Sequence, residues 1–335
     1  GDFADLAQLQ QWASQHHIDF IGINPLHALF TSRPAYASPY SPSSRHWLDP
    51  IYLSVPQAAQ QLHLESILQT WLADPAHQQT IQTLRDAPTI DYATVWATKR
   101  AALETLFQAF DATEHPAFSQ FIQQHGTALT GFALFEALDN HFANSETLGW
   151  LGWDCAYQHP DNPAVHTFAQ QHSQEIRFYM WLQWLCACQM QAIQAHPTQL
   201  GIYGDLAVGA AQGSADTWLN QTAYCLDIAI GAPPDPLGPI GQNWQLPPLH
   251  PIELKRTGYR TFIQMLRDNM QYYGILRIDH VMVLNRLWWI AFGDTAQHGA
   301  YVHYQQDVLF AIVALESQRA QCMIIGEDLG TVPNE

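Results

Sequence analysis

Two acidic side chains, Asp279 and Glu327, each close a short apolar run: Gly274-Ile275-Leu276-Arg277-Ile278-Asp279-His280 and Cys322-Met323-Ile324-Ile325-Gly326-Glu327-Asp328. Runs of this kind, rich in β-branched residues and ended by a polar one, read as buried strands of a parallel sheet. Alternation along a strand sends Arg277 and Asp279 to one face and Ile278 to the other. A barrel of alternating strands and helices gathers its reactive groups at the C-terminal ends of its strands. A cation–carboxylate pair at one strand end and a carboxylate at the next have that form. Two carboxyl groups facing one pocket supply a nucleophile and a proton donor, the pair that glycosidic-bond chemistry requires. The same residues also fit a plainer arrangement, in which Arg277 and Asp279 stabilise a sheet face and Glu327 is an unrelated surface group.

The elements that must position these groups follow from pattern. Residues 6–30 read as a helix running into a strand, Asp19 to Leu26, stopped by Pro25 and its neighbours, and 31–50 as a loop rich in Pro, Ser and Tyr. From about 56 to 196 the pattern is helical. Trp96, Leu103, Phe107 and Phe110 mark one face of a helix starting near Asp91, and Ile176 to Ala195 is apolar over much of its circumference. His125-Gly126 and Leu148-Gly149 read as helix stops. A strand-free stretch this long exceeds a normal strand-to-helix connection, so it is expected to be an inserted helical subdomain. Strand character resumes at Leu200 to Val208. Residues 210–258 are Gly- and Pro-rich but carry Trp218, Tyr224 and Trp244, an ordered excursion rather than a linker. Helix, strand, helix and strand follow at about 259–273, 274–283, 301–320 and 322–328. Strands alternating with helices argue for a parallel α/β fold. No repeat of the solenoid kind is present.

Composition narrows the partners. The chain has 335 residues, 47% hydrophobic and only 13% charged, as a globular protein with a sizeable core would. Thirteen Lys and Arg against thirty Asp and Glu leave a formal charge of −17, which repels nucleic-acid backbones and anionic membranes. A neutral partner is compatible with it. The five cysteines form no CxxC pair and are odd in number, so they read as small buried residues in a reducing cytoplasm. No apolar run approaches the roughly 18 residues of a membrane span, and no signal peptide opens the chain.

Leu276-Arg277-Ile278-Asp279-His280-Val281, followed by Ile324-Ile325-Gly326-Glu327-Asp328-Leu329-Gly330, resembles the motifs of the 4-α-glucanotransferases (amylomaltases, disproportionating enzymes), glycoside hydrolase family 77 of the α-amylase-like clan. Four further stretches agree in order: IGINPLHALF at 21–30, SPYSPSSR at 38–45, YGDLAVG at 203–209 and GAPPDPLGPIGQNW at 231–244. The resemblance runs the length of the chain and is especially close to the bacterial maltodextrin-utilisation type. It implies an α/β fold, a (β/α)8 TIM barrel present here in part, about half of its strands. The parts would be 1–55, a barrel strand with a substrate loop; 56–196, the helical insertion; 197–210, a barrel strand; 211–258, a loop-rich insertion over the active site; and 259–335, the strands carrying the reactive pair.

The resemblance also implies roles. Asp279 would be the nucleophile and Glu327 the acid/base, with Arg277 keeping Asp279 ionised, since a nearby cation lowers a carboxylate pKa by about 1–3 units. A Glu at the mouth of an apolar strand would have its pKa raised by desolvation, which suits an acid. Tyr40, Asp205, Asp235, Gln242, Trp244 and His280 would bind substrate, and Trp181, Trp184, Trp288 and Trp289 would pack the core. The substrates would be α-1,4-glucans and maltooligosaccharides, with glucose as an acceptor; no cofactor, no metal, no nucleic acid and no membrane are implied. The clan's third carboxylate, in a His-Asp dipeptide, has no counterpart in the chain and is expected beyond Glu335, so the sequence reads as an interior fragment, inactive alone. An α-amylase-like hydrolase with the same carboxylates and a non-catalytic glucan-binding fragment are the alternatives.

Overall fold

The structure, a computed structural model, describes residues 1–194, 198–236 and 238–329. Four parallel strands lie side by side in chain order: Ile21–Gly22, Ile202–Leu206, Ile275–Ile278 and Met323–Gly326. Parallel neighbours require a crossover between them, and helices supply it. Ser173–Ile193 precedes the second strand, Arg260–Met270 the third and Gln306–Ala320 the fourth. The last two helices pack on each other, and Phe3–Gln15 packs on Ser173–Ile193. This is the parallel α/β arrangement expected from the alternating pattern. The strands are shorter than their apolar runs, and the first is reduced to two residues where Asp19 to Leu26 was expected.

Between 55 and 194 every regular element among the described residues is helical. Asp91 caps the helix Tyr92–Ala109 by accepting the Thr94 N–H, as the pattern predicts, and Trp96 and Leu103 are buried on it. Phe107 is only partly buried and Phe110 lies past the helix end. Gly126 interrupts the helical stretch Pro116–His141 as expected: its φ of 51° and ψ of −128° are not helical, and glycine adopts them without a Cβ penalty, so two helices meet there at a kink. Helix Ser173–Ile193 is buried around most of its girth, with Trp181 and Trp184 in the core. Two polar residues on it are matched to backbone. The Gln183 amide exchanges hydrogen bonds with Leu48 N–H and C=O (3.1 and 2.8 Å), and Gln189 does the same with Ser54 (2.9 and 3.0 Å). Each glutamine thereby satisfies both backbone groups of a buried residue, Leu48 at a strand end and Ser54 at a helix start, and fastens residues 48–54 to the helix.

Two expectations need correction. Part of 31–50 is a strand: Ser44–Leu48 pairs antiparallel with His27–Ala28 and frames the loop that carries Tyr40. The Gly- and Pro-rich excursion contains strands Ile228–Ala232 and Gln242–Leu246, which join Arg286–Ala291 and Ala300–His303 in a second, antiparallel sheet. Glycine density hid them. At Gly231 a Cβ would lie 2.0 Å from the Gln242 carbonyl oxygen, so glycine is what lets the two strands close. The 274–283 strand accordingly stops at Ile278, and the 301–320 helix starts only at Gln306. All five cysteines are free, but only Cys186 and Cys322 are buried; Cys155 is exposed. No helix among the described residues is long and apolar enough to cross a membrane.

Candidate active site

Register brings the reactive groups together. In the parallel pairing Asp205 lies opposite Arg277 and Leu206 opposite Ile278, so Asp205 and Arg277 share a face. Two residues on, Asp279 returns to that face. Arg277 bridges both carboxylates, with Nη1 2.7 Å from Asp205 Oδ1 and Nη2 2.8 Å from Asp279 Oδ1. On the other flank Gly326 lies opposite Ile278, and the Glu327 N–H donates to the Ile278 carbonyl at 3.0 Å. That register sets Glu327 abreast of Asp279. Beyond Asp279 the chain turns through a left-handed His280 (φ 49°), an uncommon conformation for a residue with a side chain. The turn aims the His280 N–H at Glu327 Oε2 (2.9 Å), while Oε1 accepts the Leu329 N–H at 2.6 Å. Both oxygens of the glutamate are thus fixed by backbone donors, one of them on the peptide that follows Asp279.

The remaining expected residues arrive from other segments. The Tyr40 hydroxyl donates to Asp205 Oδ2 at 2.9 Å, so Asp205, 6% exposed, is held from two sides. The Trp244 indole stands edge-on to the His280 ring at 5.1 Å and donates to Gln242 Oε1 at 2.9 Å. Asp235 Oδ1 accepts the Gly238 N–H at 2.5 Å, closing its loop. Tyr40, Asp235, Gln242, Trp244, Arg277, Asp279, His280 and Glu327 line one cavity of about 700 Å³, with Asp205 bonded beneath. All nine residues picked out by sequence therefore meet.

Two aromatic residues in the cavity wall escaped the sequence reading. Trp288 and Tyr301, on facing strands of the antiparallel sheet, meet edge-on at 4.9 Å, and the Trp288 indole N–H is taken by the Ala296 carbonyl at 2.9 Å. Trp288, expected to pack the core, stands in the cavity wall instead. The signal was the Trp288-Trp289 pair itself, because adjacent strand residues face opposite sides and one of the two had to leave the core.

Electrostatics correct one expectation. Burial drives the Asp279 pKa up. Arg277 opposes this, but Asp205 and Glu327 add their own negative fields, and the balance leaves Asp279 above the usual carboxylate range. Arg277 thus limits the rise rather than producing a depressed value. Burial lowers the His280 pKa, with Glu327 opposing, which favours a neutral ring beside Asp279. Burial and the bond to Asp205 raise Tyr40 to about 12, so it remains a hydroxyl donor. Among the described residues no group of three or more His, Cys, Asp or Glu is arranged to hold a metal ion.

The chain is 46% identical to a 4-alpha-glucanotransferase of Haemophilus influenzae, with all of the chain and 50% of the relative covered. It is 38% identical to a 4-alpha-glucanotransferase of Mycobacterium tuberculosis, with 99% of the chain and 46% of the relative covered. The chain thus spans about half the length of these relatives. Among solved structures, amylomaltase from Corynebacterium glutamicum superposes with a TM-score of 0.82 at 33% identity, over 100% of this chain and 46% of that one. Amylomaltase from Streptococcus agalactiae, in complex with acarbose, shares the fold with a TM-score of 0.84 at 23% identity, over 100% of this chain and 66% of that one. A family model described as 4-alpha-glucanotransferase matches residues 1–335, and the chain belongs to that family.

Proposed function

We propose that the protein carrying this sequence transfers α-1,4-glucan segments between maltooligosaccharides, with retention of anomeric configuration, and that Asp279 and Glu327 are its catalytic pair. The observation that carries the reading is the placement of these carboxyl groups abreast on adjacent parallel strands, both reaching a cavity walled by Tyr40, Trp244, Trp288 and Tyr301. Glu327 protonates the leaving glycosidic oxygen as the Asp279 carboxylate attacks the anomeric carbon, giving a covalent glycosyl ester. Glu327, now ionised, takes the proton of an incoming 4-hydroxyl. That oxygen attacks the same carbon, the ester breaks, and Asp279 is regenerated. Two inversions give net retention.

Water and sugar hydroxyl compete for that ester, so transfer over hydrolysis is decided by which nucleophile is positioned there. Aromatic faces cover the flat C–H faces of a sugar at little rotamer cost, and the strands that carry Trp244, Trp288 and Tyr301 roof the cavity. An acceptor glucan or glucose held by that wall would displace water. The test is incubation of the full-length protein with maltotriose. Glucose with a ladder of longer oligosaccharides is the transfer outcome, whereas maltose and glucose alone would make the protein a hydrolase. Acarbose, bound by the Streptococcus agalactiae relative, is the ligand with which to probe the cavity directly.

A further inference from the structure

The strand that carries Asp205 ends at Leu206, whose carbonyl takes the Asp279 N–H at 3.1 Å. The next two residues, Ala207 and Val208, leave the ladder, and Val208 enters the cavity wall. Carbonyls at such an exit are buried without a sheet partner, and buried carbonyls need donors. One side chain supplies them. Arg45, 5% exposed, donates from Nη1 to Ala207 O at 3.2 Å and to Val208 O at 3.0 Å. From the opposite side His27, 4% exposed, accepts the Ala207 N–H on Nε2 at 3.2 Å. The exit peptide is therefore gripped on both its donor and its acceptor atoms.

Arg45 is itself immobilised. Its own N–H donates to Asp216 Oδ2 at 3.0 Å, and its carbonyl accepts from Asn269 Nδ2 at 2.8 Å. Asp216 is in turn held by the Ser44 hydroxyl at 2.6 Å. Arg45 also belongs to the segment that carries Tyr40, whose hydroxyl reaches Asp205 from above. A backbone bond also ties the two segments, with Ala211 N–H donating to Pro42 O at 2.9 Å.

We propose that Arg45, with His27 opposite it, is a positioning residue: it fixes the Leu206–Val208 exit and thereby holds Asp205, Arg277 and Asp279 in the geometry that the chemical step needs. The inference rests on the reading of Asp279 and Asp205 given under Proposed function. Neither Arg45 nor His27 touches the reacting atoms. Their influence passes through the backbone on either side of Asp205, and a misplacement of about 1 Å at a reacting group costs on the order of 100-fold.

The test uses the full-length protein with maltotriose and separates kcat from KM. Arg45→Lys keeps the charge but replaces the fixed directions of the two Nη1–H bonds, one to each carbonyl, by a freely rotating ammonium on a shorter stem. Its kcat is expected to fall about 10–100-fold with KM changed less than about threefold. Combined with Asp205→Asn, Arg45→Lys should add little further loss, because both act on one unit. A lowered melting temperature with wild-type kcat per folded site, or losses that multiply in the double variant, would overturn the positioning role. Should Arg45→Lys fail to fold, His27 decides it. His27→Gln, whose amide oxygen can accept the Ala207 N–H, should retain most of the rate, and His27→Phe should lose it. Equal rates for the two would overturn the proposal. If Asp205→Asn alone ran at the wild-type rate, the site reading would fail and take the inference with it. A slow Asp205→Asn beside a wild-type Arg45→Lys would remove the positioning role alone.

Discussion

Replacing Arg277 by methionine keeps an unbranched apolar stem and removes the charge that bridges two carboxylates. In the structure its guanidinium lies 2.7 Å from Asp205 and 2.8 Å from Asp279, with 24% of the arginine side chain and 21% of the Asp279 side chain exposed. An opposite charge at this range moves a carboxylate pKa by about 1–3 units, and Asp279 already stands above its usual range because burial and the fields of Asp205 and Glu327 outweigh Arg277. Losing Arg277 should therefore carry the acid limb of kcat/KM upward by about 1–3 pH units, since the nucleophile must be ionised to attack. Breaking a buried pair by removing one partner costs about 3–5 kcal/mol, and the partial exposure of Arg277 places the expectation near the lower figure. The sign of its pH dependence follows from linkage. A carboxylate whose folded pKa lies above its unfolded one binds more protons when folded, so stability falls as pH rises through that interval. The variant's deficit should thus be full at neutral pH and shrink on acidification through the raised pKa of Asp279. The assay is glucose release from maltotriose by the full-length protein across pH 4–9, beside melting temperatures at the same pH values. An acid limb that stays at the wild-type position in Arg277→Met would refute the coupling, whatever happened to the maximal rate.

The other expectations concern the same cavity. In an experimental structure the carboxyl carbons of Asp279 and Glu327 should lie about 5–5.5 Å apart, the retaining separation, and a value near 9 Å would contradict retention. Asp279→Asn should abolish transfer, and Glu327→Gln should be slow on maltotriose but partly recovered with an activated leaving group that needs no proton; equal rates for wild type and Asp279→Asn would end the nucleophile assignment. Trp244→Ala and Trp288→Ala should each weaken oligosaccharide binding by about 1–3 kcal/mol, the worth of a buried aromatic contact, measured by calorimetry with acarbose; unchanged affinity would return that residue to a packing role. Tyr40→Phe leaves the ring but removes the bond to Asp205, so it should lower kcat more than it raises KM, and the reverse pattern would assign the hydroxyl to ground-state binding.

The sequence was informative where one physical signal dominated. Asp205, Asp279 and Glu327 close runs of parallel-sheet type, so their strands, and the common face of Arg277 and Asp279, could be read in advance; the expected burial holds for Ile275–Ile278 but not for Met323–Gly326, where Met323 and Ile325 are exposed. The long helical stretch was legible because nothing in it alternates with period two. The second sheet was not, because its strands are short, interrupted by glycine and proline, and stabilised by partners far away in the chain: Ile228–Ala232 pairs with residues near 242 and near 290. Such pairing leaves no local trace beyond alternation. In Arg286–Ala291 the alternation is blurred, since Trp288 faces a cavity while Leu287 and Ile290 are buried. The net charge state of Asp279 was equally beyond a local reading. It depends on burial and on Asp205 and Glu327, contributed by the two flanking strands, neither of which is adjacent in sequence.

The two sheets divide the work in a way that explains why the cavity takes residues from so many segments. Strands of the parallel sheet present Asp205, Arg277, Asp279 and Glu327 through backbone register, which fixes carboxylates relative to one another with little freedom. The antiparallel sheet presents Trp244, Trp288 and Tyr301, apolar surfaces whose contribution to binding tolerates small shifts. The Asp205–Arg277–Asp279 chain and the backbone bonds on Glu327 lie on the first, and the edge-on contact of His280 with Trp244 is one tie to the second. A retaining transfer needs both properties: an invariant reacting centre for two successive displacements at one carbon, and a wall that admits a departing glucan and then a different acceptor. Truncation of His280 to alanine separates them. It leaves the backbone N–H on Glu327 and removes the ring against Trp244, so transfer to a sugar acceptor should fall more than cleavage, and the ratio of hydrolysis to transfer should rise. A parallel fall in both, with the ratio unchanged, would show that His280 serves the reacting centre and that the wall does not depend on it.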